Sequence, residues 1–129
     1  MNASPELGIH RAIMAYLRVA LPDALIVHIP NQMDVSDPRV RRAVAKNVSM
    51  GMVKGFPDIM VLADAAIGPV FFEVKAPKGR VSPDQAEIIR RLQALRYRCA
   101  VVRSIDDVHA RMAEWGIRTA VHTTGSEPK

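Results

Sequence analysis

The chain is predicted to fold as one α/β domain with a mixed central sheet flanked by helices, and three observations carry that expectation. Two short apolar runs, Ile59 to Ala63 and Val70 to Val74, are separated by a connection containing Ala-Ala-Ile-Gly-Pro. Their length and their β-branched and aromatic content suit the two strands of a hairpin. A helical pattern then separates the second of these strands from another apolar run, Cys99 to Val102, which implies a parallel, right-handed crossover. Helical spacing also recurs at both ends of the chain, so helices are available to cover the faces of the sheet.

The elements follow in order. Ser4 and Pro5 read as an N-cap and first helical position, and Leu7, Ile9, Ile13, Met14, Tyr16, Leu17 and Ala20 continue with helical spacing to about Leu21. Pro22 and Asp23 break that helix. Ala24 to Ile29 is a β-branched run ended by Pro30 and Asn31, the first strand. The stretch from there to Phe56 is too long to be structureless in so small a domain. Asp37 and Pro38 start a second helix in it, with Val40, Ala43, Val44 and Val48 as an apolar stripe and Gly51 as a stop. After the hairpin, Ala76 to Arg80 is a loop. Ser82-Pro83-Asp84-Gln85 then fits a capping box, with Ser82 as N-cap and Gln85 reaching back to its amide. The third helix carries Ala86, Ile89, Leu92 and Leu95 on one side, with Glu87, Arg90, Arg91 and Gln93 interspersed. Cys99 to Val102 is a buried strand, and Ser104 caps a final helix through Val108, Met112 and Trp115 to Gly116. Trp115 reads as a packing residue over the sheet.

The bulk properties narrow the class of function. The chain has 129 residues, 49% of them hydrophobic, enough for one core and too few for two. A single domain over 1–129 is expected, its core at about 5–116 and a polar C-terminal tail at 117–129. The single cysteine, Cys99, excludes an intramolecular disulfide and a zinc site built on several thiolates, and reads as a small core residue. No segment approaches a bilayer span and no basic leader precedes an apolar stretch, so a cytoplasmic protein with no membrane partner is expected. The net charge of +5 favours an anionic partner. The basic residues concentrate between Val35 and Phe56, where Arg39, Arg41, Arg42, Lys46 and Lys54 face one acid, Asp37. That segment is a candidate phosphate-contacting surface, and a solvated helix face is the plainer reading.

The chemistry sits on the hairpin. Asp58 opens its first strand, while Glu73 and Lys75 lie near the end of the second. Side chains alternate along a strand, so Glu73 and Lys75 share a face and Val74 points away. Antiparallel pairing brings Asp58 to the same end as Glu73, so that two carboxylates and an amine converge. Two carboxylate oxygens, a backbone carbonyl and water make a suitable Mg²⁺ site for phosphodiester hydrolysis. A lysine beside it can orient or deprotonate water and offset transition-state charge. Glu-x-Lys alone is more often two charges on a solvated face. Glu6 and His10 lie one turn apart on the first helix and could face a common site; ordinary helix-terminal and surface roles also account for them.

With Pro57-Asp58 followed by Glu73-Val74-Lys75 in this order of elements, the sequence resembles the PD-(D/E)xK nuclease superfamily, and within it the VRR-NUC domain. Further shared features are Glu6, Pro30-Asn31, the Gly55-Phe56-Pro57-Asp58 approach and Lys78-Gly79 before Ser82 to Gln85. The resemblance implies a restriction-endonuclease-like αβββαβ core and Mg²⁺- or Mn²⁺-dependent cutting of DNA. It implies that Asp58, Glu73 and the Val74 carbonyl ligate metal and that Lys75 acts on water. Gln85 would position Lys75 or the scissile phosphate, and Glu6 would be a further acidic member. Lys78 joins the residues expected to contact nucleic acid. His10 stands where members of the family commonly carry glutamine. Small stand-alone members resemble viral and bacterial homodimers that act on branched DNA, which implies a junction-resolving dimer with no nucleotide cofactor. A nicking or nonspecific nuclease, a silent DNA-binding module and a small structural partner are the competing readings. Two clustered carboxylates would repel phosphate, which argues against a binding-only role.

Overall fold

The computed structural model describes residues 5–30 and 36–120. Four helices and four strands run in the order α1 (Pro5–Ala20), β1 (Leu25–His28), α2 (Pro38–Ser49), β2 (Ile59–Leu62), β3 (Val70–Val74), α3 (Pro83–Ala94), β4 (Arg98–Val102) and α4 (Ile105–Glu114). Ser4 and Asn31 to Val35 lie outside the described residues. The strands form one mixed sheet in the order β1-β2-β3-β4; the first two pairings are antiparallel and β3 pairs with β4 in parallel. The crossover through α3 therefore joins parallel neighbours, as the helix between those strands required.

Strand alternation sorts the sheet into two faces. Ile59, Val61, Val70, Phe72, Val74 and Val102 share one of them and are buried, packed with Ile13, Met14 and Leu17 of α1 and Val108 and Met112 of α4. This is the core. Phe72 is fully buried and stacks on Trp115 at 5.6 Å between ring centroids, which gives the tryptophan its packing role. The opposite face carries Asp58, Phe71, Glu73, Lys75 and Cys99, and α3 lies over its β4 side.

Three expectations are corrected. The buried stripe of α3 is Gln85 and Ile88, flanked by half-buried Ile89 and Leu92; Ala86 is exposed, and Leu95 is 69% exposed because it is the C-cap where the chain turns away. Counting only apolar residues shifts the stripe by one position, since its first member is a glutamine. On α2 no residue is buried: Val40 and Val44 are half-buried, while Ala43 and Val48 are exposed. Residues 117–120, assigned above to a polar tail, belong to the body. Gly116, at φ 78°, ends α4 in the left-handed region, so that the Ile117 amide donates to the Met112 carbonyl at 2.8 Å and Ile117 folds back into the core. This is the Schellman arrangement, with its apolar contact across the turn. The Ala120 amide then donates to the Ala20 carbonyl at 2.7 Å, tying α1 to the end of the described chain. The rest of the tail lies outside the described residues.

Candidate active site

The hairpin register decides the geometry. Ile59 pairs with Phe72, which places Asp58 opposite Glu73 on the α3 side of the sheet. Where the β2–β3 ladder stops, the Asp58 carboxylate takes over: its Oδ2 accepts the Val74 amide at 2.8 Å, buried. The Asp58 carbonyl accepts the Ile29 amide at 2.7 Å from the other side, so the residue is fixed at both ends. Upstream, Gly55 sits at φ 83° with its α-carbon so close to α3 that a β-carbon would lie 2.6 Å from the Asp84 backbone carbon. Only glycine permits both that conformation and that approach. The approach to Asp58 is thereby pressed against the first turn of α3, and Phe56 lies edge-on to Phe71 at 5.4 Å.

Four polar side chains are buried among the described residues: Asp58, Glu73, Lys75 and Gln85. They are the four residues that the hairpin pattern and the capping box single out. The capping box is present in full, Gln85 Oε1 accepting the Ser82 amide at 2.9 Å and Ser82 Oγ accepting the Gln85 amide at 3.2 Å. The cap uses only half of the glutamine amide. Its Nε2 donates to Glu73 Oε2 at 3.0 Å, and the Lys75 ammonium lies 3.7 Å from the same oxygen. Glu73 Oε1 is buried with no hydrogen-bond partner.

Burial pushes the Glu73 carboxyl up to about 8; the charge of Asp58 and a hydrogen bond with it act in the same direction, as does Glu6 more weakly, and Lys75 opposes them. Two ionised carboxylates have no hydrogen to share, so such a contact is attractive only with a proton or a cation between them. The donor set fits a small, hard dication. It offers hard carboxylate oxygens, one of them with no donor from the protein. Among the described residues, no group of three or more His, Cys, Asp or Glu side chains is gathered to hold an ion.

Glu6 lies in the first turn of α1, half-buried, and reaches the cluster through its field on Glu73. His10 packs edge-on against His28 at 4.8 Å; burial lowers its basicity first, His28 adds to this, and Asp58 opposes it. His28 was not singled out by the sequence, where it is only the polar end of an apolar run. The basic residues do not enter the cluster. Arg39, Arg41, Arg42 and Lys46 are exposed along α2, Arg39 pairing with Asp37 at 3.4 Å and Arg41 donating to the Ser36 carbonyl at 3.1 Å. Lys54 lies 3.8 Å from Asp84 on the surface, and Lys78 is exposed in the turn after Lys75. Cys99 is buried beneath α3, its thiol pushed up to about 12 by burial and by the Glu73 charge, so it is inert.

Fold and cluster together define a nuclease-type domain: a mixed sheet whose central hairpin presents an aspartate, a glutamate and a lysine beneath a capped helix. The chain belongs to the VRR-NUC domain family, whose sequence model matches residues 14–106. Glu6 and His10 precede that match. A solved structure described as a VRR_NUC domain protein superposes with a TM-score of 0.67 at 22% identity, covering 89% of this chain and 90% of that one, which shows the shared fold. A search of curated proteins finds no match. Among the described residues, no helix is long and apolar enough to cross a membrane.

Proposed function

We propose that the protein is an endonuclease that hydrolyses phosphodiester bonds in DNA with Mg²⁺ or Mn²⁺, selects branched structures, and acts in the cytoplasm as a homodimer. The observation that carries the reading is the burial of Asp58 and Glu73 together beside Lys75, with no protein donor on Glu73 Oε1. Two carboxyl groups gathered out of water cost a fold stability unless a proton or a cation stands between them. A binding site for a cation explains why the arrangement is kept.

Asp58, Glu73 and the Val74 carbonyl would hold the ion. A divalent cation supplies polarisation of the phosphate and a more acidic water. The chain's own residues do the rest. The Val74 amide fixes the Asp58 carboxylate. Gln85 holds Glu73 Oε2 and so aims Oε1. Lys75, buried beside them, would orient the attacking water by donating to its oxygen from Nζ and steady charge on the phosphoryl oxygens. Gln85 is therefore a positioning residue acting through Glu73, and Glu6 adds negative potential from α1. Arg39, Arg41, Arg42, Lys46, Lys54 and Lys78 would meet the phosphate backbone outside the cut. Two copies related by a two-fold axis would match the symmetry of a four-way junction, each cutting one strand.

The test is cleavage of labelled four-way junction, flap and linear duplex DNA in Mg²⁺, Mn²⁺ or EDTA. Asp58→Asn and Lys75→Ala should bind DNA and lose at least ~10²-fold in cleavage rate. Full activity in either variant overturns the role given to it. Sedimentation over a range of concentrations checks the dimer, and a monomer throughout removes it.

A further inference from the structure

The loop that follows Lys75 is held by a residue that the chemistry above does not use. Ala76 to Gly79 is a tight turn with Pro77 at its second position, closed by the Gly79 amide donating to the Ala76 carbonyl at 2.9 Å. It folds back against the stem of Lys75: a β-carbon on Gly79 would lie 3.3 Å from the Ala76 amide nitrogen and carbonyl oxygen and 3.6 Å from Lys75 Cδ. The guanidinium of Arg103, arriving from the end of β4, closes over this turn. Its Nη1 donates to the Ala76 carbonyl at 2.6 Å and the Gly79 carbonyl at 2.8 Å, with the Pro77 carbonyl at 3.3 Å.

Arg103 is itself well fixed. Its amide donates to Asp107 Oδ2 at 2.8 Å in the first turn of α4, and the preceding Val102 carbonyl accepts the Lys75 amide at 3.0 Å. The parallel β3–β4 pairing thus continues one step past the strands, ends at Lys75, and is followed at once by a cationic clamp on the turn. Without the guanidinium, the Gly79 carbonyl would lose this contact and the turn would be closed only by the bond from the Gly79 amide to the Ala76 carbonyl.

We propose that Arg103 is a positioning residue for Lys75: by gathering the carbonyls of Ala76, Pro77 and Gly79 it holds the turn against the lysine stem and so sets where the ammonium stands. The inference rests on the reading of Lys75 as the group that acts on water, and its structural half can be tested without it. The experiment compares Arg103→Ala and Arg103→Lys with the wild-type chain in two assays. The first is the rate of acetic anhydride labelling of Lys75 in metal-free protein, referenced within each sample to exposed Lys54. The second is kcat and KM on the best DNA substrate with Mg²⁺.

In Arg103→Ala the turn should open locally, raising Lys75 labelling at least ~5-fold while the melting transition stays cooperative. Its kcat should fall about 10- to 100-fold with KM and salt dependence unchanged, because a displacement of the order of 1 Å costs about that much. Arg103→Lys, which still offers three donors to the carbonyls, should restore both. If Arg103→Ala fails to fold, Arg103→Gln, with one amide group for the same carbonyls, is judged on the same readouts. Unchanged Lys75 labelling in a folded variant overturns the proposal. So does a raised KM with a shallower salt slope and an intact kcat, which would make Arg103 a phosphate contact. If wild-type protein cuts no DNA but the labelling responds as stated, the clamp stands and the nuclease reading falls.

Discussion

Two regions of this molecule carry charge in opposite ways. At the end of the hairpin, Asp58, Glu73, Lys75 and Gln85 are buried, and register, a backbone amide, a helix cap and a glycine contact hold them in place. On α2, Arg39, Arg41, Arg42 and Lys46 are exposed, and no residue of the helix is buried. The first arrangement sacrifices stability for position, since each buried charge is desolvated and one oxygen is unpartnered. The second costs little and fixes little. The contrast separates what bond-breaking requires from what holding a polyanion requires: a reacting group must stand within a fraction of an ångström, whereas a screened phosphate contact tolerates motion.

The largest effect should come from the acid cluster. In metal-free protein Glu73 takes up its proton near pH 8, against about 4.5 for an ordinary glutamate, because of burial first and Asp58 second. The folded state therefore binds the extra proton throughout that interval while the unfolded chain does not. The contribution is complete below about pH 4.5 and is lost as pH rises through about 8. Denaturant titrations in EDTA should show wild type losing up to about 5 kcal/mol relative to Glu73→Gln between those limits. His10, whose basicity is lowered, contributes in the opposite sense, and the comparison with Glu73→Gln cancels it. Millimolar Mg²⁺ should flatten the wild-type curve by replacing the proton. Parallel curves for the two proteins in EDTA would mean that the carboxyls do not share a proton, and would break the contrast at its strongest point.

Next in size is the contact that presses the approach to Asp58 against α3. Gly55→Ala forces a β-carbon into the Asp84 and Gln85 backbone at a positive φ, so neither side can yield cheaply. A loss of about 3 kcal/mol is expected, with Asp58 and Gln85 displaced together. Thermal melting checks the first, and reduced Mg²⁺ affinity by calorimetry checks the second. A variant as stable as wild type would show that this approach is looser than the site requires.

How much of this could be read from the sequence differs along the chain for physical reasons. Asp58, Glu73 and Lys75 were legible because strands alternate with a period of two and a short hairpin fixes which ends meet. Gln85 was legible as a cap and not as a partner of Glu73, because the cap alone accounts for it; the second hydrogen bond depends on how α3 lies on the sheet. The burial of Gln85 also explains the misplaced stripe of α3. Ile117 was lost to the tail because the apolar pattern breaks at Gly116, and the fold-back that buries it depends on a positive φ that spacing does not express. His28 and Arg103 carry no periodic signal: one is the last residue of a strand, and the partners of the other are carbonyls, which every residue has. The chemistry of the cluster was readable from two carboxylates and an amine meeting on one hairpin, and the family resemblance added the roles of Gln85 and Glu6, whereas α2 was overestimated as a packing element since valine spacing alone does not show whether anything lies opposite.

The smallest expected effect on stability tests the other half of the contrast. Arg42→Ala with Lys46→Ala removes two exposed cations from a helix whose ends are held by the Asp37 cap and the Gly51 turn, neither of which is touched. Stability should therefore change by no more than about 0.5 kcal/mol. If α2 meets phosphates, affinity for junction, flap and duplex should fall alike, and the slope of log affinity against log salt should become shallower by about two. The rate at saturating DNA should not move, because both residues are exposed and neither belongs to the buried cluster. A changed saturating rate would place α2 in the same mechanical unit as Asp58. A loss confined to branched DNA would show instead that α2 reads shape, and that an exposed helix can specify a substrate without being held by the core.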